Sequence, residues 1–128
     1  MEQSSDQTIN DVAAEIARTL EELGAVDPIA LDVSGQSSFT EAFVIAGAES
    51  LAQLGGLQRR IHEKLTELEL DPRQSPRRKD ESGWLLLDCD SVILHLMLAD
   101  QRAFYELEKL WFDAPILYST AERAGQDS

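Results

Sequence analysis

The stretch "WLLLDCDSVILHLM", residues 84–97, decides the fold of this chain. Two apolar runs flank the tight "CD" connection, a pattern that predicts an antiparallel β-hairpin. One ionisable ring, His95, lies within the second run. Strand alternation places His95 on the face of Ile93 and Met97. The pattern therefore predicts a sheet that carries one histidine on one of its faces.

Periodicity on the N-terminal side of the hairpin predicts two helices and two strands. Apolar residues recur at three- and four-residue steps from Ile9 to Leu23, which is typical of an amphipathic helix. Thr8 or Asp6 can cap this helix, and Gly24 can end it. The runs "PIALDV" and "AFVIAG" predict strands, and Ile29, Leu31 and Val33 share one face of the first.

A second helix is predicted from the "SLAQLGG" segment onward, where Ser50 and Gln53 form a candidate capping box. Gly55 and Gly56 lie inside this helix, and each costs about 1 kcal/mol relative to alanine. Close packing of the helix backbone on the sheet, or a bend, would explain them.

After the hairpin, Asp100 can cap a last helix, "QRAFYELEKLW". The order α-β-β-α-β-β-α predicts one α/β domain with helices packed on a mixed β-sheet. We expect residues 1–7 to form a flexible N-terminus, residues 8–118 the domain, and residues 119–128 a flexible tail. The loop Arg73–Lys79 is rich in basic residues, with no role indicated by its sequence.

The composition restricts the class of protein. The chain has 128 residues and a formal net charge of −13, which repels nucleic-acid phosphates and anionic membranes and favours a basic protein partner. Solubility alone also explains such acidity. A single cysteine, Cys89, excludes an intrachain disulfide. We expect a cytoplasmic protein, since neither a signal peptide nor a membrane-spanning run is visible.

Two groups of residues are candidate chemical sites. A metal site at His95 would need further ligands at suitable spacing, and the only other histidine, His62, lies on a distant predicted helix. A structural or partner-facing role is therefore favoured over catalysis or metal binding. Asp88 and Asp90 lie two apart, and on one strand they would hold a magnesium ion in an enzyme similar to nucleotidyltransferases. The competing interpretation places Asp90 in the turn, where aspartate tolerates positive φ.

The last predicted helix concentrates aromatic residues. Phe104, Leu107 and Trp111 share one helical face, and Tyr105 lies off that face. Exposed tyrosine and tryptophan are favoured anchors of protein interfaces. The helix is thus a candidate partner-binding element or the seam of a homodimer, and docking of the helix on its own domain explains the pattern nearly as well.

Three segments, "LDVSGQSSFTEAFVIAGAES", "GWLLLDCDSVILHLM" and "RAFYELEKLW", resemble the ribosomal silencing factor family, also called Iojap-related. The resemblance runs from about Ile9 to Trp111. The family usually has Tyr-Gly-Asp where this chain has "CDS", and a Glu-Gly pair commonly precedes the hairpin where Arg77 and Arg78 stand.

The resemblance implies a non-enzymatic factor without a cofactor or metal, whose fold is similar to nucleotidyltransferases but lacks their active site. It implies binding to the large ribosomal subunit through the fourteenth protein of that subunit, a block of subunit joining, and repression of translation when nutrients are short. The candidate partner-binding residues are Trp84, Asp88, His95, Arg102, Tyr105, Glu108 and Trp111.

Overall fold

The sheet and two of the predicted helices are present in the computed structural model, which describes residues 8–35, 38, 40–72, 84–100 and 114–120. Helix α1 spans Ile9–Glu22. The hydroxyl oxygen of Thr8 accepts a hydrogen bond from the backbone N–H of Asp11 at 3.1 Å, which satisfies one of the free donors at the helix start. Gly24 follows the helix with φ of 94°, a conformation that strains residues with a Cβ.

Helix α2 spans Leu51–Glu67 and begins at the predicted cap. The Ser50 hydroxyl oxygen accepts a hydrogen bond from the N–H of Gln53 at 3.1 Å. The side-chain oxygen of Gln53 accepts one from the N–H of Glu49 at 2.7 Å, and its amide group donates one to the carbonyl of Gly24 at 3.0 Å. Gln53 therefore joins the start of α2 to the end of α1.

Five strands form one mixed sheet in the order β3-β4-β2-β1-β5. Strands β2 and β4 are parallel, while the other three neighbouring pairs are antiparallel. The predicted single α/β domain with a mixed sheet is confirmed. The strands are β1 Val26–Asp32, β2 Ala42–Ala48, β3 Trp84–Asp88, β4 Val92–Leu98 and β5 Ile116–Ser119.

Strand β5 is absent from the sequence prediction. It contains four residues and pairs antiparallel with β1, so that Ser119, which the prediction assigned to the tail, lies beside Ile29. A strand this short, directly after Pro115, shows too little alternation to be recognised. The predicted last helix lies outside the described residues, and the predicted domain boundaries stay an expectation.

Each face of the sheet carries a cluster of buried apolar side chains. Helices α1 and α2 pack on one face, which includes Ala30, Val44, Leu94 and Leu96. The opposite face holds a second cluster: Leu31, Val33, Phe43, Ile45, Ile93, Met97 and Ala114. The predicted face of β1 is confirmed, since Leu31 and Val33 lie together, away from Ala30.

The two glycines of α2 do not pack on the sheet. A Cβ added at Gly55 or Gly56 would meet only the guanidinium of Arg59, at 3.9 and 4.0 Å. The interpretation that close packing on the sheet explains these glycines is therefore wrong. Within the described residues, no helix is long and apolar enough to cross a membrane.

Candidate partner-binding surface

The hairpin of β3 and β4 brings two of the predicted site residues together. Leu86 pairs with His95, and Asp88 pairs with Ile93, in the antiparallel register. Because alternate residues of a strand share a face, all four lie on the side of the sheet opposite the helices. We call the residues Leu86, Asp88, Ile93 and His95 the hairpin face.

An exposed apolar side chain lies at the centre of β3. Leu86 is 39% exposed, whereas Leu85 and Leu87, which point toward the helices, are each 2% exposed. Leu86 is not among the site residues predicted from the sequence. Strand alternation in "WLLLD" was the available signal, since it places Leu86 on the face of Asp88.

His95 is an uncharged ring within this surface. Its ring meets that of Phe43 edge to face, with 5.1 Å between centroids and 76° between planes, and Ile45 pairs with it from β2. Burial lowers the pKa of His95 to about 4, because the charged form loses solvation. At neutral pH His95 is therefore an uncharged and largely buried ring packed against Phe43, in agreement with a structural role.

Asp88 and Asp90 do not form a pair on one strand. Strand β3 ends at Asp88, and Asp90 lies in the turn with φ of 68°. A carboxylate oxygen of Asp88 accepts a hydrogen bond from the backbone N–H of Asp90 at 2.8 Å. This contact stabilises the turn, so the interpretation of Asp90 as a turn residue is confirmed. Among the described residues, no group of three or more metal-ligating side chains forms a metal site.

Of the remaining predicted site residues, only Trp84 lies within the described residues. Trp84 opens β3 and its backbone pairs with Met97. Arg102, Tyr105, Glu108 and Trp111 lie outside the described residues. The structure thus brings Asp88 and His95 to one surface, with Trp84 on the same hairpin, and their role in binding stays a prediction.

An exposed apolar side chain, Leu86, with the carboxylate of Asp88 on the same sheet face is a candidate contact for another protein. The fold and this face define a small α/β protein with a candidate protein-binding surface. The sequence model of one family, described as "Ribosomal silencing factor during starvation", matches residues 6–128. The chain belongs to the ribosomal silencing factor family.

Named relatives of the chain include proteins from two bacteria and one from mouse. "Ribosomal silencing factor RsfS" of Bacillus subtilis is 35% identical over 92 residues, which cover 72% of this chain and 77% of that protein. The Treponema pallidum protein of the same name is 35% identical over 107 residues, 81% of this chain and 93% of that protein. "Mitochondrial assembly of ribosomal large subunit protein 1" of Mus musculus is 32% identical over 84% of this chain and 50% of that protein.

Solved structures share the fold. A crystal structure of a Chromobacterium violaceum protein superposes with a TM-score of 0.70 at 28% identity, covering 83% of this chain and 86% of that chain. A crystal structure of a Bacillus halodurans protein gives a TM-score of 0.65 at 25% identity, over 80% and 92% of the two chains. The mixed sheet described above is therefore the fold of solved relatives as well.

Proposed function

We propose that this chain represses translation in the cytoplasm under nutrient limitation by binding the large ribosomal subunit and blocking its joining to the small subunit. The observation that carries this proposal is the family match over residues 6–128. The relatives are named as silencing factors rather than as enzymes, and the mouse relative is named for assembly of the large subunit.

The proposed contact is a ribosomal protein, the fourteenth of the large subunit, at the face that the small subunit meets. Charge supports a protein partner, because a chain of net charge −13 is attracted to a basic protein and repelled by bare RNA. The hairpin face supports the same partner class. Leu86 can enter an apolar depression, and Asp88 can pair with a cation at the edge of the contact.

The partner-binding residues of the proposal are the hairpin residues Trp84, Asp88 and His95, together with Leu86. The sequence adds four residues of the predicted last helix: Arg102, Tyr105, Glu108 and Trp111. An alternative function as a magnesium-dependent transferase using Asp88 and Asp90 has lost its geometric support, because Asp90 lies in the turn.

Sucrose-gradient co-sedimentation with separated ribosomal subunits tests the proposal. We expect the chain to migrate with large subunits and to be absent from small subunits and from assembled ribosomes, because joining covers the site. Addition of the chain to separated subunits should reduce the assembled fraction. Equal binding to assembled ribosomes would contradict the steric mechanism.

A further inference from the structure

An open groove of 210 Å³ lies between the end of α1 and the first half of α2. Leu23 and Leu57 form its apolar part, and Arg59 and Arg60 form its cationic part. Gln53 and Gly56 complete the lining. The groove is on the helix side of the sheet, so it faces away from the hairpin face.

The wall of the groove is preformed. Gln53 is held at both ends of its amide, by the N–H of Glu49 at 2.7 Å and the carbonyl of Gly24 at 3.0 Å. Leu57 is 3% exposed and belongs to the core, which fixes its position. A ligand would therefore meet a preformed wall and would not have to order it.

The two arginines form a local cationic patch in this acidic protein. The basic side chains within the described ranges are Arg18, Arg59, Arg60 and Lys64. Lys64 is neutralised by a carboxylate oxygen of Glu15 at 2.7 Å. Across the same described ranges, Arg59 and Arg60 are exposed and form no ion pair. Two uncompensated charges thus lie side by side in a chain of net charge −13.

Close packing does not explain the glycine at position 56. Gly56 lines the groove, and a Cβ there would meet nothing closer than the Arg59 guanidinium at 4.0 Å. Glycine is an unfavourable residue in the middle of a helix. A side chain at position 56 would project into the groove, so glycine leaves the space between Leu57 and the two arginines open.

We propose that this groove binds an acidic segment of a second protein, with an apolar side chain on the half-buried Leu23 and carboxylates against Arg59 and Arg60. Charge complementarity selects an anion, and the guanidinium group pairs well with carboxylates. Leu23, half-buried beside the arginines, selects a peptide over RNA, whose phosphate backbone offers no aliphatic side chain. The net charge of −13 opposes every anion, so a short segment with few carboxylates fits the groove better than a long polyanion.

This surface can be occupied while the hairpin face is docked, because the sheet separates the two. The chain then has two sides: the hairpin face for the ribosome and the groove for an acidic partner. The inference does not depend on the proposed ribosomal function, and the two can be tested separately.

The test uses the full chain, labelled with ¹⁵N, and a short synthetic peptide in which glutamates flank two leucines. Binding is followed by chemical-shift changes of the backbone amides at about 0.1 M salt. We expect saturable changes at Leu23, Gly56 and Leu57. The same peptide with glutamine in place of glutamate should bind at least about fivefold more weakly, because the carboxylates are lost.

Matched variants locate the contact. Arg59→Gln should weaken peptide binding at least about fivefold, whereas Arg18→Gln, an equal charge change on α1, should leave it unchanged. Gly56→Gln should fill the groove and reduce binding. Gly55→Gln is its control, since Gly55 does not line the groove. Circular dichroism confirms that each variant is folded.

Four results would overturn the inference. One is the absence of saturable shifts with the acidic peptide, and another is equal binding by Arg59→Gln and Arg18→Gln. The third is tighter binding of a short single-stranded RNA at the same amides, which would assign the groove to nucleic acid. Co-sedimentation of Arg59→Gln with large subunits should stay normal. Its loss would place the groove in the ribosome contact and reject a separate partner.

Discussion

Leu86 and His95 lie directly opposite each other in the β3–β4 hairpin, on the sheet face opposite α1 and α2. One side chain is exposed and aliphatic, and the other is an aromatic ring kept uncharged by burial. This pair forms the apolar part of the hairpin face, and Asp88 supplies its charge.

Leu86→Ala should weaken binding to the large subunit while the domain keeps its stability. A well-packed interface leucine contributes up to about 2 kcal/mol, which is a factor of about 30 in affinity. Leu86 is 39% exposed, so its truncation leaves no buried cavity. Binding would be measured by co-sedimentation and stability by thermal melting.

The control for this variant is Leu51→Ala. Leu51 is 53% exposed and lies at the start of α2, on the other side of the sheet. Normal binding by Leu51→Ala and weak binding by Leu86→Ala would locate the contact. If both variants bind normally, the partner does not use the hairpin face.

Asp88→Asn should reduce binding at low salt by roughly three- to tenfold, because one attractive charge toward a basic partner is removed. The effect should shrink as salt screens the interaction. Asparagine retains an oxygen that can accept the hydrogen bond from the N–H of Asp90, so the turn should persist. Asp71→Asn, an equal change outside the hairpin, is the control.

The same variant addresses the alternative enzyme function. We expect no nucleotide-transfer activity in the parent chain and therefore none to be lost in Asp88→Asn. A magnesium-dependent activity that this substitution abolishes would contradict the proposal that the chain is a non-enzymatic factor.

Acid should destabilise the domain through His95. The pKa of His95 is about 4 in the folded chain, below the value of about 6.5 expected for the unfolded chain. Between these values the unfolded chain binds the proton more readily, so folding stability falls as pH decreases from about 6.5 to 4. The difference in pKa corresponds to at most about 3 kcal/mol.

Denaturant unfolding of the parent chain and His95→Gln across this pH range measures that contribution. Carboxylates titrate in both proteins, so the difference between the two curves isolates the histidine. The parent should lose more stability than the variant as pH falls. Parallel curves would show that His95 is not buried as a neutral ring.

The ion pair between Lys64 and Glu15 should contribute modestly to the packing of α2 on α1. The two groups are 2.7 Å apart and keep 24% and 30% of their side-chain surface exposed. A double-mutant cycle with Glu15→Gln and Lys64→Gln should give a coupling of about 0.5–1 kcal/mol that decreases with salt. A coupling near zero would mean that solvation of the separate charges compensates for the contact.

Local signals predicted the elements that the structure confirms. The caps at Thr8 and Ser50 act within three residues, and the hairpin turn is encoded by Asp90, which tolerates positive φ. Such features depend on near neighbours along the chain, which a sequence displays directly.

Tertiary features were not predicted. Strand β5 exists because β1 offers it a pairing edge, and its own four residues carry little pattern. The exposure of Leu86 depends on which elements cover its face of the sheet. The groove beside Arg59 and Arg60 depends on the position of α1 against α2. None of these relationships can be read from spacing alone.

Strand β5 also determines when the chain can complete its fold during synthesis. It is the last strand of the described chain, yet it covers the edge of β1, and Tyr118 in it donates a hydrogen bond to the carboxylate of Glu21 on α1. Until β5 is made, β1 has an unpaired edge able to join strands of other molecules. A chain that ends before Ile116 would therefore expose Val26–Asp32 to self-association, although its hairpin face is already complete.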